Sequence, residues 1–139
     1  MLLLDTHVCI WSGEGDERRL GPRTRRLLHR AQSEDAARIS PLTIFEITAL
    51  HTMGRLRLTR TPEQWTRDYL SLSGVRVVEF SAAIALDAGT IPRTALADPL
   101  DRLLVATARQ NDATFVTCDE QIVDYANSHR LVRIHDGRR

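Results

Sequence analysis

Short apolar runs alternate along this chain with segments whose apolar residues recur every three to four positions. Leu2-Leu3-Leu4, ending at Asp5, has the unbroken apolar character of a buried strand. Residues 13–16 are polar and read as a loop. Residues 22–33 place Leu27, Leu28 and Ala31 at helical spacing among arginines, the pattern of an amphipathic helix. A second short strand is expected over residues 37–40. Ser40-Pro41 then supplies an N-cap and a first-turn proline, so a helix should run to about Met53 and stop at Gly54.

Thr61-Pro62-Glu63 repeats that start signal, for a helix carrying Trp65, Tyr69 and Leu70. Residues 75–80 are rich in β-branched side chains and predict a strand, and residues 81–88 a helix ending at Gly89. Residues 91–97 read as loop. Asp98-Pro99 opens a further helix to about Gln110. A strand over residues 114–117, a short helix from Asp119 to about Asn127 and a last strand over residues 131–134 complete the pattern. Strands alternating with helices predict an α/β fold, with a mainly parallel central sheet and helices on both faces. With 139 residues and neither a repeat nor a linker, the chain is expected to form one domain over residues 1–139.

Composition narrows the chemistry. At 42% hydrophobic the chain can bury a core without staples. A net charge of +1 gives no global attraction to a polyanion, so nucleic-acid binding would need a local patch or a metal. Every basic residue except the histidines is arginine. Without lysine, neither a P-loop nor Schiff-base catalysis is possible. Cys9 and Cys118 form no CxxC pair, which argues against a disulfide scaffold or a thiolate zinc site. Leu2 to Leu4 is too short for a signal peptide, and no run approaches a membrane span. The expected location is the cytoplasm, with no membrane partner.

The candidate chemistry lies in carboxylates. In an open parallel sheet, ligands bind beyond the carboxyl ends of the strands. Asp5 ends the first strand, and Asp119 lies just past the strand at residues 114–117. Asp98 and Asp101 sit at a helix start. Each has a structural explanation: Asp5 as the cap of a turn, Asp119 as an N-cap, and Asp98 with Asp101 as the acids any helix start prefers. Glu46 is harder to explain that way. It shares a helix face with Leu42, Ala49, Leu50 and Met53, where an unpaired carboxylate is costly. Asp101 shares its face with Leu104, Val105 and Ala108. Pairing with a nearby arginine is the structural alternative for both. Several acids converging on one edge would repel each other unless a cation sat among them. Oxygen donors select Mg²⁺ or Mn²⁺, and such an ion suits phosphodiester hydrolysis.

Four segments carry a resemblance. Leu3-Leu4-Asp5-Thr6-His7, Ser40-Pro41-Leu42-Thr43-Ile44-Phe45-Glu46-Ile47, the run from Ala97-Asp98-Pro99-Leu100-Asp101-Arg102 to Ala108, and Phe115-Val116-Thr117-Cys118-Asp119 resemble, in order, the acidic motifs of the PIN-domain family. The likeness is greatest to the VapC-type ribonuclease toxins of bacterial type II toxin–antitoxin pairs, and it spans nearly the whole chain. It implies a PIN-like three-layer sandwich and Mg²⁺-dependent endoribonuclease activity. Asp5 and Asp101 would be the core metal ligands, with Asp119 as a further ligand and Glu46 completing the catalytic quartet. Asp98, Arg102 and Thr117 would lie behind the ligands or face substrate. The preference for RNA over DNA, a small antitoxin partner and a homodimer are likewise what the resemblance implies.

Other features admit two readings. Arg18, Arg19, Arg23, Arg25, Arg26 and Arg30 could follow an RNA backbone or form a solvated face, and Arg55, Arg57 and Arg60 share that choice. Arg102 would pair with an acid or reach substrate. His7 falls in what reads as loop after Asp5, and zinc would need more ligands of its kind. Trp11 could stack on a base or simply pack. Two competing functions stand beside nuclease: a PIN-like RNA-binding module without catalysis, and a phosphoryl-transfer or phospho-receiver domain. The missing lysine weighs against the latter, and retention of all four acids against the former.

Overall fold

The computed structural model describes residues 1–130 and 132–139. Among them five strands and seven α-helices follow one another as β1 (Leu2–Leu4), α1 (Thr6–Gly13), α2 (Pro22–Ser33), β2 (Ala37–Ile39), α3 (Pro41–Thr52), α4 (Pro62–Leu72), β3 (Val75–Val77), α5 (Ala82–Gly89), α6 (Pro99–Gln110), β4 (Thr114–Thr117), α7 (Glu120–His129) and β5 (Ile134–Asp136). The helix starts follow the capping chemistry of the sequence. Ser40 Oγ accepts the Leu42 N–H at 3.1 Å, and Asp98 Oδ1 the Leu100 N–H at 2.9 Å. Thr61 and Gln64 form a reciprocal capping box. Each of these caps satisfies a backbone donor that the helix cannot.

All strand pairs are parallel, in the order β3-β2-β1-β4-β5. The period of two along a strand sorts β1 onto both faces. Leu2 and Leu4 join Ala37, Ile39, Val75 and Val116 beneath buried residues of α1 to α4, such as Val8, Leu28, Ile47 and Trp65. Leu3 points the other way, with Phe115, against Leu104 and Ala108 of α6. A strand buried on both sides needs the unbroken Leu-Leu-Leu, and each buried leucine contributes about 1.5–3 kcal/mol of burial free energy. The sheet is therefore sandwiched between helices, as the alternation of elements predicts.

The order of strands creates the site. From β1 the chain moves outward through β2 to β3, then returns to the other side of β1 for β4 and β5. The crevice between β1 and β4 is thus the point where strand order reverses, the position at which open parallel sheets bind ligands.

Three expectations need correction. The segment after Asp5, expected as loop at His7 and again from Gly13, is helix α1 as far as Gly13, with Asp5 as its N-cap. Its Val-Cys-Ile stretch is buried without an amphipathic rhythm, so the periodicity that marks surface helices is missing. The strand expected over residues 75–80 ends at Val77. The last strand is Ile134–Asp136 rather than residues 131–134, and Leu131 lies outside the described residues. That edge strand is Ile-His-Asp, only partly buried, so apolar content pointed to the residues before it. No helix among the described residues is long and apolar enough to cross a membrane.

Candidate active site at the carboxyl ends of the strands

Asp5, Glu46, Asp98, Asp101 and Asp119 line one pocket of about 300 Å³. Five acids from four distant stretches meet because α1, α3, α6 and α7 all begin at the carboxyl edge of the sheet. Asp5 follows β1, α3 follows β2, and Asp119 follows β4. Helix α6 leads into the amino end of β4, so its own start lies at the opposite edge, beside the same crevice.

Asp5 is the most tightly fixed. Its Oδ1 accepts the Thr6 N–H at 2.7 Å and its Oδ2 accepts the Thr117 hydroxyl at 2.6 Å. The Thr117 oxygen in turn accepts the Asp119 N–H at 3.1 Å. Thr117 is fully buried, and this one hydroxyl ties the ends of β1 and β4 together across the switch point. Asp119 is an N-cap as well as a pocket acid, with Oδ1 taking the Gln121 and Ile122 N–H groups. Asp98 caps α6 and also faces the pocket. The structural and functional explanations of these acids hold together, because a helix start facing a crevice presents both free N–H groups and the cap that satisfies them.

Electrostatics show how close the acids are. Burial, with added repulsion from Asp98, Asp5, Asp119 and Glu46, pushes Asp101 up to about 7. Burial raises Asp5, although the Thr117 and Thr6 hydrogen bonds and His7 oppose it. Burial and then Asp5 raise Glu46, and the Thr6 hydroxyl beside it pulls the other way. That hydroxyl is buried with no hydrogen-bonded partner among the described residues, so it acts on Glu46 from beyond bonding distance. Desolvation and like charge thus press the cluster toward its neutral form.

No arginine relieves that pressure. Among the described residues none of the five pocket acids has a basic partner within ion-pair distance, while elsewhere Asp16, Asp87 and Asp136 are paired with arginines. Arg102, expected to pair with an acid, forms no such pair, and its buried Nε has no hydrogen-bonded partner among the described residues. The arginine alternative for Glu46 and Asp101 is therefore set aside. Glu46 sits at the flank of α3 rather than on its core face, which is formed by Thr43 and Ile47; Met53, expected on the same stripe, is exposed.

The donor set fits a hard divalent cation. All five groups are carboxylates, and the mutual repulsion that raises Asp101 is what a cation would cancel. No three His, Cys, Asp or Glu side chains among the described residues are drawn together tightly enough to cage an ion. The pocket is thus an open site rather than a closed cage, suited to an ion that keeps part of its hydration shell, as Mg²⁺ does. Cys118 also lines the pocket, but burial and the nearby Asp136 push its thiol up to about 11, so it offers no thiolate.

Two residues that the sequence reading weighed without placing in the site also line it. His7 and Trp11 line the pocket from the exposed side of α1, four residues apart and so on one helix face. Their signal was Asp5 as a helix cap, which would have turned the presumed loop into a helix and put both on its surface.

Comparisons with known proteins place the chain in a family and support its fold. The family model of the PIN domain matches residues 2–128. Ribonuclease VapC22 of Mycobacterium tuberculosis is 28% identical over 132 residues, covering 95% of this chain and 94% of that protein. Among solved structures, VapBC2 from Rickettsia felis bound to a DNA fragment from their promoter superposes with a TM-score of 0.68 at 17% identity, covering 97% of both chains. FitAcB from Neisseria gonorrhoeae gives 0.64 at 23%, covering 99% of this chain and 98% of that one. The two solved structures share the fold.

Proposed function

This chain belongs to the PIN domain family, and from that premise we propose that it is a metal-dependent endoribonuclease, the toxin of a VapBC-type pair. The observation that carries the reading is the convergence of Asp5, Glu46, Asp101 and Asp119 on one pocket with no basic partner among the described residues. The similarity to a ribonuclease of Mycobacterium tuberculosis supports RNA as the substrate.

Asp5, Asp101 and Asp119 would hold Mg²⁺ or Mn²⁺. When bound, that ion supplies positive charge to the phosphoryl oxygens and an activated water. The protein's own side chains do the rest. Thr117 and the Thr6 N–H fix both Asp5 oxygens, so the ligand is set before substrate arrives. Asp101, pushed up to about 7 by burial and then by its acidic neighbours, would serve as a ligand in its deprotonated form. Glu46 stands at the side of the pocket with a raised pKa, suited to take a proton from the attacking water at its carboxylate.

The partner proposed is a small antitoxin, supported by the likeness to the VapBC2 and FitAcB structures. Exposed Phe45 and Met53 on α3 and Leu86 on α5 offer apolar surface for that partner or for a second copy in a homodimer. Purified protein incubated with cellular RNA and Mg²⁺ should generate new RNA ends, and excess EDTA should stop it. Binding without cleavage at any divalent-ion concentration would instead favour a binding module. Expression alone should arrest the host, and co-expression with the antitoxin should rescue it.

A further inference from the structure

A second, larger concavity opens from the acidic pocket. It has a volume of about 1040 Å³ and shares His7 and Trp11 with the pocket, so the two adjoin at these side chains. Its walls are the outer face of α1, the turn Glu17–Arg19 and the segment after α3, with Arg18, Arg19, Arg55 and Arg57 among its residues.

The charge of this groove is decided by what its acids already bind. Both Glu14 carboxylate oxygens are taken by Thr59, through its N–H and its hydroxyl, each at 3.2 Å. Asp16 accepts from Arg18 at 2.9 Å and Arg19 at 2.7 Å. Glu17 accepts from His29. Arg55 and Arg57 are exposed and have no acidic partner among the described residues. The cationic charge left for a ligand sits on Arg55 and Arg57, in a lining whose four arginines outnumber its three carboxylates, beside a pocket lined by five acids.

Trp11 stands at the junction. It is half-buried, its body packs on the core, and the Arg19 guanidinium lies 5.6 Å from the ring centroid. The His7 ring lies 5.8 Å away at 52°. The indole is thus held in place by its neighbours and still reaches the groove. Trp11 is six positions beyond Asp5, about 9 Å along a helix that rises 1.5 Å per residue.

We infer that this groove is the track of the single-stranded substrate, with Trp11 stacking one base beside the cleaved bond and Arg55 and Arg57 receiving neighbouring phosphates. The inference rests on the nuclease reading and adds the route by which RNA enters and what positions it. An aromatic platform beside unpaired arginines is the chemistry that holds a single strand without reading its sequence. At about 3.4 Å per stacked step, the base on Trp11 lies within about three nucleotides of the metal site.

The test measures binding of a short fluorescein-labelled single-stranded RNA in EDTA, where no cleavage occurs. Trp11→Leu should weaken binding about tenfold, and Trp11→Phe, which keeps a stacking face, should lose about threefold or less. Wild-type tryptophan emission should be quenched by unlabelled RNA, because Trp65 is buried and Trp11 is the residue in reach. Should Trp11→Leu misfold, the exposed pair Arg55→Gln with Arg57→Gln still decides: the salt dependence of log Kd should flatten by about 1.4, the value for two phosphates on a single strand. Unchanged affinity in folded Trp11→Leu, or an unchanged salt slope, overturns the proposal. So does a Trp11→Leu protein that loses its antitoxin and binds RNA normally, since the groove would then be the partner's. Absence of cleavage by wild-type protein in Mg²⁺ would refute the nuclease reading and leave these binding results standing.

Discussion

An acid lies at each end of helix α6, Asp101 of its own first turn and Asp87 of α5, and the two are treated in opposite ways. At its C-terminal end Arg109 and Gln110 hold Asp87 of α5, with Arg109 Nε at 3.0 Å from Oδ2 and a second guanidinium nitrogen on Oδ1. At its N-terminal end Asp101 faces Asp98, Asp5, Asp119 and Glu46, with no basic partner among the described residues, and rises to about 7. Similar carboxylates at the two ends of one helix thus take different roles. The paired one fastens α5 to α6, and the unpaired one holds charge in reserve for a ligand. The lesson is that imbalance of charge, more than the presence of acids, separates a site from a scaffold.

Breaking each end should give opposite signatures. Asp101→Asn or Asp5→Asn should lower RNA cleavage by at least about a hundredfold, with the thermal midpoint unchanged or raised. Full activity in either variant, measured on the same RNA, would remove the metal assignment. Arg109→Ala should do the reverse. It leaves Asp87 partly buried with its main partner gone and should cost about 2–3 kcal/mol of stability in denaturant unfolding, with cleavage per folded molecule kept.

The same comparison has a pH signature. Asp101 has a folded-state value of about 7 against an ordinary 3.8, so the folded protein holds the extra proton between those limits. Stability of the metal-free protein should therefore fall as pH rises through that window, by on the order of 1–2 kcal/mol after solvent screening. Asp5 and Glu46 are shifted in the same direction and add to the trend. Asp101→Asn should flatten the profile, and Mg²⁺ should restore stability at the alkaline end. A thermal midpoint that climbs with pH in EDTA would contradict the picture of an unrelieved acidic cluster.

The smallest effect concerns the hydroxyl between the two strands. Thr117→Val removes the donor to Asp5 and the acceptor of the Asp119 N–H. A loss of about 1 kcal/mol in transition-state stabilisation, roughly fivefold in kcat/KM, is expected. Thr117→Ser should recover most of it, and equal losses in both variants would assign Thr117 a packing role.

Much of the fold was legible because its signals are local. The caps at Ser40, Thr61, Asp98 and Asp119 and the prolines after the first three place four helix starts as predicted. Leu2 to Leu4 announced β1, since a strand buried on both faces reads as an unbroken apolar run, and the β-branched and aromatic Thr-Phe-Val-Thr of residues 114–117 announced β4. Helix α1 was illegible because it is short and its buried Val8-Cys9-Ile10 run breaks the two-sided pattern a reader relies on. The polar edge strand β5 was misplaced because its pairing with β4, and not its own side chains, makes it a strand.

The acids themselves were visible, since motif order and the position of acids just after strands or at helix starts follow from the chain alone. Their meeting was not. It depends on the reversal of strand order between β1 and β4, which brings Asp5 against Thr117 and Asp119 across more than a hundred residues. Which carboxylate is neutralised and which is left exposed to its neighbours was likewise settled by packing. A sequence specifies its own caps and apolar faces through near-neighbour interactions, whereas the distance between two charges, and with it their energy, exists only once the sheet is assembled.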